Sequence, residues 1–321
     1  MKKTYLHSLL LFLGFGVFLI PIRLTALDPS NSLNQYNCRS WTRQNSLPAN
    51  GIRTIAQTPD GYLWLGTQKG MLRFDGLEFT LYDLPGRREW RNQSITTLSA
   101  GVEGLWFGSD VGGWGVYDGR DFKAPAKGTI PQDAKVNLIR ETRDGALWLG
   151  TTSGLIRQSR GETNGTIVSP LMTRRISLNE DSRNRVWLGT VENGLFYWEA
   201  GKIHPFPDPD LTNRSVFATT VDWEGRIWVG SQYGLSCYDS NFNRIRPLTI
   251  YSEVRALLTD SHGVVWIGTS GEGVIRFNHD GASWLRKTNG LAHDFVMDLL
   301  EDKEGSLWVG TQEGLSQISD V

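Results

Sequence analysis

The chain has 321 residues, of which 33 are basic and 34 acidic, and its formal net charge is −1. This balance argues against a protein that binds nucleic acid or an anionic membrane surface through a general electrostatic field. Length alone would allow about two domains.

The N-terminus has the features of a secretory signal. Lys2 and Lys3 precede an apolar run from Leu9 to Ile20, and small residues follow before Leu27. We therefore predict a signal peptide over residues 1–26, cleaved after Ala26, and a linker over residues 27–35. An uncleaved anchor from about residue 5 to residue 22 is the alternative. Both interpretations place the remaining chain in the periplasm or outside the cell.

A repeat of about 40 residues organises the rest of the sequence. Its marker is a tryptophan that recurs at intervals of 42, 42, 39, 41, 38 and 42 residues. A period in this range is typical of propellers and solenoid arrays. The seven repeat tryptophans are Trp64, Trp106, Trp148, Trp187, Trp228, Trp266 and Trp308.

Each repeat predicts four short strands. A stretch such as Ile52 to Ile55 predicts an inner strand, and a pair such as Asp60-Gly61 predicts a two-residue hairpin. The tryptophan strand is apolar at consecutive positions, which is typical of a strand buried on both faces. The sequence therefore predicts an all-β fold, a seven-bladed β-propeller of four-stranded antiparallel blades over residues 36–321. The repeated tryptophans then fill the wedges between blades.

The ends of the repeat array predict how the ring closes. The last repeat ends with its third strand near Gly314 to Ile318, and its fourth strand is missing from the C-terminal sequence. The segment 36–42 precedes the first inner strand, in the place of an outer strand. We expect it to complete blade seven as an N-terminal outer strand.

The two cysteines invite a disulfide in an exported chain. Cys38 belongs to the predicted closing strand of blade seven, and Cys237 belongs to the third strand of blade five. Two blade spacings, on the order of 20 Å, separate these strands, whereas a bridge needs Cα atoms within about 7 Å. We expect two free, buried thiols.

Motifs of catalysis, metal binding and phosphate binding are missing from the sequence, so we expect no cofactor and no metal. Asp222, Asp260 and Asp302 each stand six residues before a repeat tryptophan. They could form a recurring cation site or could cap the turn backbone two residues on. Capping is the favoured interpretation, because Thr58 and Thr142 occupy the same place in other repeats.

Candidate ligand-binding residues collect on the loops that vary between repeats. These loops connect one blade to the next and share a face with the turns between second and third strands. The longest joins blades one and two, where arginines could bind a carboxylate or sulfate and a tryptophan offers a stacking face. A solvated loop is the alternative. The candidates are Arg87, Arg88, Trp90, Arg91, Asn50, Asn213, Arg214, Tyr233 and His293.

The repeat unit resembles that of the two-component regulator propeller family. The matching copies include Asp60 to Thr67, Asp144 to Thr151 and Glu304 to Thr311, and the resemblance covers roughly residues 36–320. It implies the periplasmic input half of a hybrid sensor kinase or related regulator, many of which sense glycans or their breakdown products. The chain shows no kinase, so the resemblance implies ligand binding and no phosphotransfer.

Three functions follow as hypotheses. The first is a non-enzymatic extracytoplasmic ligand-binding propeller, with an oligosaccharide or other small molecule as ligand and a membrane sensor kinase or second propeller as partner. The second is a propeller enzyme, of the lyase or glycosidase type, in which His293, Asp294 and Glu272 would converge. The third is a protein-interaction platform. An acid–base cluster near the channel mouth would favour catalysis, and arginines with aromatics would favour binding.

Overall fold

The computed structural model describes residues 27–82, 93–109, 112–123, 130, 134–162, 164–170, 176–246 and 248–320. Its strands form seven four-stranded antiparallel sheets. Six sheets follow chain order, and the seventh has the order β1-β28-β27-β26. The predicted seven-bladed propeller is therefore confirmed.

Blades one to four are formed by consecutive strands. Blade one contains β2 Thr54–Gln57, β3 Leu63–Thr67, β4 Gly70–Phe74 and β5 Phe79–Tyr82. Blade two contains β6 Ile95–Gly101, β7 Gly104–Ser109, β8 Trp114–Tyr117 and β9 Phe122–Lys123. Blade three contains β10 Val136–Glu141, β11 Leu147–Thr151, β12 Gly154–Gln158 and β13 Thr166–Ser169. Blade four contains β14 Ile176–Glu180, β15 Val186–Thr190, β16 Gly194–Glu199 and β17 Lys202–Pro205.

Blades five to seven complete the ring. Blade five contains β18 Val216–Val221, β19 Ile227–Ser231, β20 Gly234–Tyr238 and β21 Arg244–Ile245. Blade six contains β22 Val254–Thr259, β23 Val265–Thr269, β24 Val274–Asn278 and β25 Gly281–Leu285. Blade seven contains β26 Val296–Glu301, β27 Leu307–Thr311, β28 Gly314–Ser319 and the N-terminal strand β1 Asn37–Thr42. Short 3-10 helices occupy Leu33–Gln35, Pro209–Leu211 and Lys287–Asn289.

The N-terminal strand closes blade seven as the sequence predicts. β1 pairs antiparallel with β28, with Trp41 opposite Leu315. The indole of Trp41 stacks on Trp308 with the ring centroids 5.6 Å apart. Residues before β1 also contact the ring, because Leu33 is buried and the Arg276 guanidinium donates to the Asn31 carbonyl at 2.7 Å. This places the segment 27–36 against blades six and seven.

The repeat tryptophans fill the seams between blades, as the sequence predicts. Trp64 belongs to β3 of blade one and packs with Ile95, Leu98 and Phe107 of blade two. The same arrangement recurs around the ring up to Trp308, which packs against Ile52 and other residues of blade one. All seven indoles are buried. Removing one ring should cost about 3–5 kcal/mol.

A glycine two residues after the tryptophan lets neighbouring blades approach closely. A Cβ atom added to Gly230 would lie 2.6 Å from Cγ1 of Val254, on the inner strand of the next blade. Contacts this short do not occur between real side chains. Gly230 therefore keeps β19 in contact with β22, and the sequence interpretation of this position as a close backbone approach is confirmed.

The turns between first and second strands are longer than expected in six blades. The sequence predicts two-residue hairpins, but in blade one the Thr58 N–H donates to the Tyr62 carbonyl at 3.1 Å. Three residues lie between this bonded pair, and Gly61 has a φ of 90°. A type I turn followed by a left-handed residue has this form. Blade two alone has the two-residue turn, between Gly101 and Gly104.

The aspartates before the tryptophans cap these turns. Oδ1 of Asp260 accepts from the His262 and Val264 N–H groups at 2.9 Å, and Oδ2 accepts from the Trp266 indole at 2.7 Å. Asp222 and Asp302 bind Trp228 and Trp308 in the same way. The capping interpretation is therefore confirmed, and Asp181, which the sequence reading missed, makes the same bond to Trp187.

Both cysteines are free, as expected, and only one of them is fully buried. Cys237 lies in the seam around Trp228, where burial raises the pKa of its thiol to about 12. Cys38 is only partly buried, because it lies on the outermost strand of blade seven, and burial also raises the pKa of its thiol. Within the described residues, no helix is long and apolar enough to cross a membrane.

Candidate functional site: the lumen of the central channel

The inner strands of the seven blades surround a channel with a cavity of about 490 Å³. We call the face that carries the turns between second and third strands the top face and the opposite one the bottom face. One residue near the top end of each inner strand lines the channel, and we call these residues the lumen ring. They are Arg53, Thr96, Asn137, Ser177, Phe217, Arg255 and Met297.

An irregularity in the inner strands places most of the lumen ring. In five blades the strand register shifts by one residue directly after the first apolar residue, as between Val216 and Ala218 or between Val254 and Ala256. The extra residue, here Phe217 or Arg255, is left out of the ladder. A β-bulge re-aims a side chain in this way. The bulges therefore allow side chains that differ between blades to line one lumen.

The lumen carries buried polar atoms that have no partner. Among the described residues, seven buried side-chain nitrogen or oxygen atoms have no hydrogen bond. Four of these belong to residues that line the channel, namely Asn137 Oδ1, Ser177 Oγ, Thr219 Oγ1 and Arg255 Nε. A buried unpaired polar group costs about 1–3 kcal/mol. Four of the unpaired atoms therefore lie within the wall of the channel.

Arg255 forms the centre of an aromatic stack at the top of the lumen. Its guanidinium carbon lies 5.0 Å from the ring centroids of both Phe217 and Phe295. The guanidinium also pairs with Glu253 at 2.7 Å. Cation–π contacts and the ion pair hold the side chain in one position. The stack therefore presents a fixed arginine between two apolar rings.

A second cavity of about 350 Å³ adjoins the stack on the top face. Its lining includes Asn50, Gln68, Gln312 and Arg53 together with Phe295. The Arg53 guanidinium donates to Ser94 Oγ at 2.6 Å, which orients it across the seam between blades one and two. Amide groups, a guanidinium and an aromatic ring thus meet at this mouth. Asn50 is a predicted site residue that the structure brings into this cluster.

The other described candidates lie on the top face but do not join one cluster. The guanidinium of Arg214 lies 4.8 Å from the ring centroid of Tyr233, whose side chain is 61% exposed. Asn213 has a φ of 58° in the connection before β18. Arg87, Arg88, Trp90 and Arg91 lie outside the described residues.

The proposed acid–base seed does not converge. His293 Nδ1 accepts from the Phe295 N–H at 3.0 Å, and its Nε2 lies 3.8 Å from Glu313 Oε1. Asp294 instead accepts from the Lys287 N–H at 2.6 Å, and Glu272 accepts from the Ser252 hydroxyl. A general base needs a partner within about 3.2 Å. The His293 ring therefore accepts a hydrogen bond within its own loop. Arginine and aromatic side chains line the channel mouth.

The sequence reading missed five residues of the mouth, namely Arg53, Phe217, Arg255, Phe295 and Met297. Four of them share a sequence feature by which they could have been predicted. Each directly follows the first apolar residue of an inner strand, as in Ile52-Arg53 and Val254-Arg255. This position differs from repeat to repeat, whereas its apolar neighbours do not. The residues that line the lumen are therefore indicated by a variable position within the inner strands as well as by the variable loops.

The fold defines the class, a seven-bladed β-propeller whose central channel is lined by side chains that differ between repeats. Three segments, residues 46–69, 250–271 and 290–313, match the model of the two component regulator propeller family. Three segments of the repeat array therefore match this family, as the resemblance implied.

Known proteins share this architecture over most of the chain. A protein named Histidine kinase P4 from Formosa agariphila is 24% identical over 313 residues, which cover 90% of this chain and 20% of that protein. The chain thus spans about a fifth of the length of this curated relative. The extracellular domain of a protein described as the hybrid two component system BT3049, from B. thetaiotaomicron, superimposes with a TM-score of 0.75 and 19% identity. That match covers 89% of this chain and 42% of that one.

An enzyme shares the same fold. A catalytically inactive virginiamycin B lyase from Staphylococcus aureus superimposes with a TM-score of 0.68 and 14% identity, covering 89% of this chain and all of that one. At this identity the likeness shows the fold alone.

Proposed function

We propose that the protein is a non-enzymatic ligand-binding propeller that works outside the cytoplasm as the input module of a two-component-type sensor. The single observation that carries binding is the channel, which is lined by an arginine held between two phenylalanine rings. Catalysis has less support, because His293 meets no carboxylate within hydrogen-bond reach among the described contacts.

The ligand class follows from the chemistry of the top mouth. Guanidinium groups bind carboxylate or sulfate through paired hydrogen bonds, and aromatic rings offer apolar faces to a sugar ring. Amide groups such as Asn50 and Gln68 suit hydroxyl groups. A glycan-derived oligosaccharide with an acidic group fits this set. The cavities of about 490 and 350 Å³ fall in the range of small-molecule sites.

We base the proposed signalling role on similar proteins. The similar solved domain is described as the extracellular part of a hybrid two component system, and the similar full-length protein is named a histidine kinase. We propose a membrane sensor kinase or a second propeller as the partner. The signal-like segment over residues 1–26 supports export to the periplasm or beyond.

The test is a binding screen of the purified protein. Thermal shift and calorimetry against a panel of neutral and acidic oligosaccharides should identify a ligand. Arg255→Gln should then weaken binding at least about tenfold, which corresponds to about 1.4 kcal/mol. The matched control is Arg183→Gln, an exposed arginine in a bottom turn. A ligand that binds Arg255→Gln as tightly as the native protein would place the site elsewhere.

A further inference from the structure

Arg140 lies in the channel on the side opposite to the stack. It stands near the end of β10 and lines both the lumen and a bottom-face pocket of about 450 Å³ between blades two, three and four. That pocket includes residues of the bottom turns, such as Thr142 and Gly145. The Arg140 residue is exposed to solvent where these two cavities meet.

No hydrogen bond or ion pair holds the Arg140 guanidinium within the part of the chain that the structure describes. The surrounding protein lowers the pKa of Arg140 below its ordinary value, and the charges of Asp298 and Glu180 oppose this effect. An arginine remains charged under these conditions. The channel therefore contains a positive charge without a direct partner.

The two nearby carboxylates are engaged elsewhere. Asp298 Oδ2 accepts from the Ile55 N–H at 2.7 Å and joins blade seven to blade one. Glu180 Oε2 accepts from the Arg143 N–H at 2.8 Å. Each carboxylate therefore has a hydrogen-bond partner other than Arg140.

The charge of the lumen favours an anion. Its charged lining consists of three arginines, Arg53, Arg140 and Arg255, and two carboxylates, Asp298 and Glu180. Arg53 and Arg255 have partners, whereas Arg140 has none that the structure describes. Enclosure by protein strengthens attraction to an anion relative to bulk water.

We propose that the lower half of the channel is a second binding site, in which Arg140 binds the carboxylate or sulfate group of a small acidic molecule. The planar guanidinium can donate two parallel hydrogen bonds to either group. This inference concerns a site distinct from the Arg255 stack and does not depend on the proposed sensing role.

The lower opening of the channel also carries an exposed aromatic ring. Trp223 lies in the bottom turn of blade five, lines the lumen and is 72% exposed. The indole lies close to Gly263 of the next blade, because a Cβ added there would lie 3.1 Å from it. A sugar acid could therefore place its ring near Trp223 and its charge at Arg140. Inorganic sulfate would use only the arginine.

The experiment titrates sodium sulfate and sodium glucuronate into the purified full chain, with sodium chloride at equal ionic strength as the reference. We expect saturable binding of at least one probe above the chloride reference. Arg140→Met should weaken that binding at least about tenfold, and Arg140→Lys should weaken it less. Arg183→Met, the matched exposed arginine, should bind like the native protein. Sulfate binding alone would identify a sulfate-type ligand, and glucuronate binding alone would identify a carboxylate-type ligand.

A folding control separates binding from structure. Without ligand, Arg140→Met should melt at or above the temperature of the native protein, because it removes an enclosed charge that has no partner. A large drop in melting temperature would indicate that Arg140 supports the fold and would count against the site. Absence of saturable binding to both probes, or unchanged binding by Arg140→Met, would overturn the inference.

Discussion

Gly101 occupies, in blade two, the place that an aspartate or threonine takes in the other blades, and the indole N–H of Trp106 is consequently buried without an acceptor. The equivalence follows from the strand pairing, because Ser99 lies opposite Trp106 in blade two and Ala56 lies opposite Trp64 in blade one. Two residues after Ser99 comes Gly101, and two residues after Ala56 comes Thr58. Thr58 Oγ1 accepts from the Trp64 indole at 3.0 Å. The shorter turn of blade two removes this acceptor.

The first prediction compares two tryptophans that differ in this bond. Trp266→Phe removes the 2.7 Å bond to Asp260 and leaves a buried carboxylate with one partner fewer. Trp106→Phe removes an N–H that has no partner. We expect Trp266→Phe to lower the free energy of unfolding by about 1–3 kcal/mol more than Trp106→Phe. Chemical denaturation of both variants measures this difference. Equal losses would show that the indole bonds contribute nothing to stability.

The second prediction concerns ring closure. Deleting residues 27–43 removes β1 and exposes the edge of β28, so the melting temperature should fall clearly. Trp41→Ala isolates the packing contribution, because it removes the stack on Trp308, and should cost about 3–5 kcal/mol. Arg43→Ala, an exposed change just after β1, is the control and should stay within about 0.5 kcal/mol of the native protein. An unchanged melting curve after deletion would refute closure by β1.

The third prediction concerns the thiols. Burial raises the pKa of Cys237 to about 12, so this thiol stays protonated and unreactive at pH 8 in the folded protein. Cys38 is partly exposed and should react first with an alkylating reagent, although burial raises its pKa too. After denaturation without reductant, mass spectrometry should find both thiols alkylated. A peptide linking Cys38 to Cys237 would contradict the blade assignment.

The fourth prediction tests the loop between blades one and two. Replacing Arg87, Arg88 and Trp90 by Ala should leave the melting temperature nearly unchanged, because the sequence predicts a surface loop here and substitutions on a surface cost within about 0.5 kcal/mol. The same change should weaken binding of an identified ligand at least about tenfold. Calorimetry with this variant and with Arg255→Gln separates a loop site from a lumen site. If the triple variant binds normally, the loop takes no part in recognition.

The fifth prediction concerns the N-terminus. Cleavage after Ala26 would leave Leu27 as the first residue, and its side chain is buried at 3% exposure, while its carbonyl oxygen lies 3.1 Å from His262 Nδ1. N-terminal sequencing of the protein recovered from the periplasm or medium should therefore begin at Leu27. Recovery of the chain in the membrane fraction with residues 1–26 attached would support the anchor alternative.

Much of the architecture could be predicted from the sequence because the fold repeats. Seven copies of one local pattern specify seven equivalent blades, and a missing fourth strand at the C-terminus specifies closure by the N-terminal segment. Each copy also fixes its own seam, since the tryptophan, the following glycine and the preceding aspartate or threonine are local in sequence. Because the same local pattern occurs seven times, it specifies the whole ring of blades.

The candidate site could be predicted only in part. Asn50 lies near the channel mouth on the top face, whereas Arg214 and Tyr233 pair with each other on that face and His293 accepts a bond within its own loop. Loop variability does not point to the lumen, because the residues that differ there lie in the inner strands or directly before them. Their direction depends on bulges that the pattern of apolar residues does not reveal.

The sequence by itself determined the blade count, the order of strands, the seams and the closing strand, because all of these depend on spacing along the chain. Only the tertiary structure decided which side chains meet in the channel. Arg140 and Glu180 stand 40 residues apart, and Asp298 stands 158 residues from Arg140, yet all three line one cavity. Closing the ring arranges the inner strands of all seven blades around a common axis, so that residues distant in the sequence line one cavity.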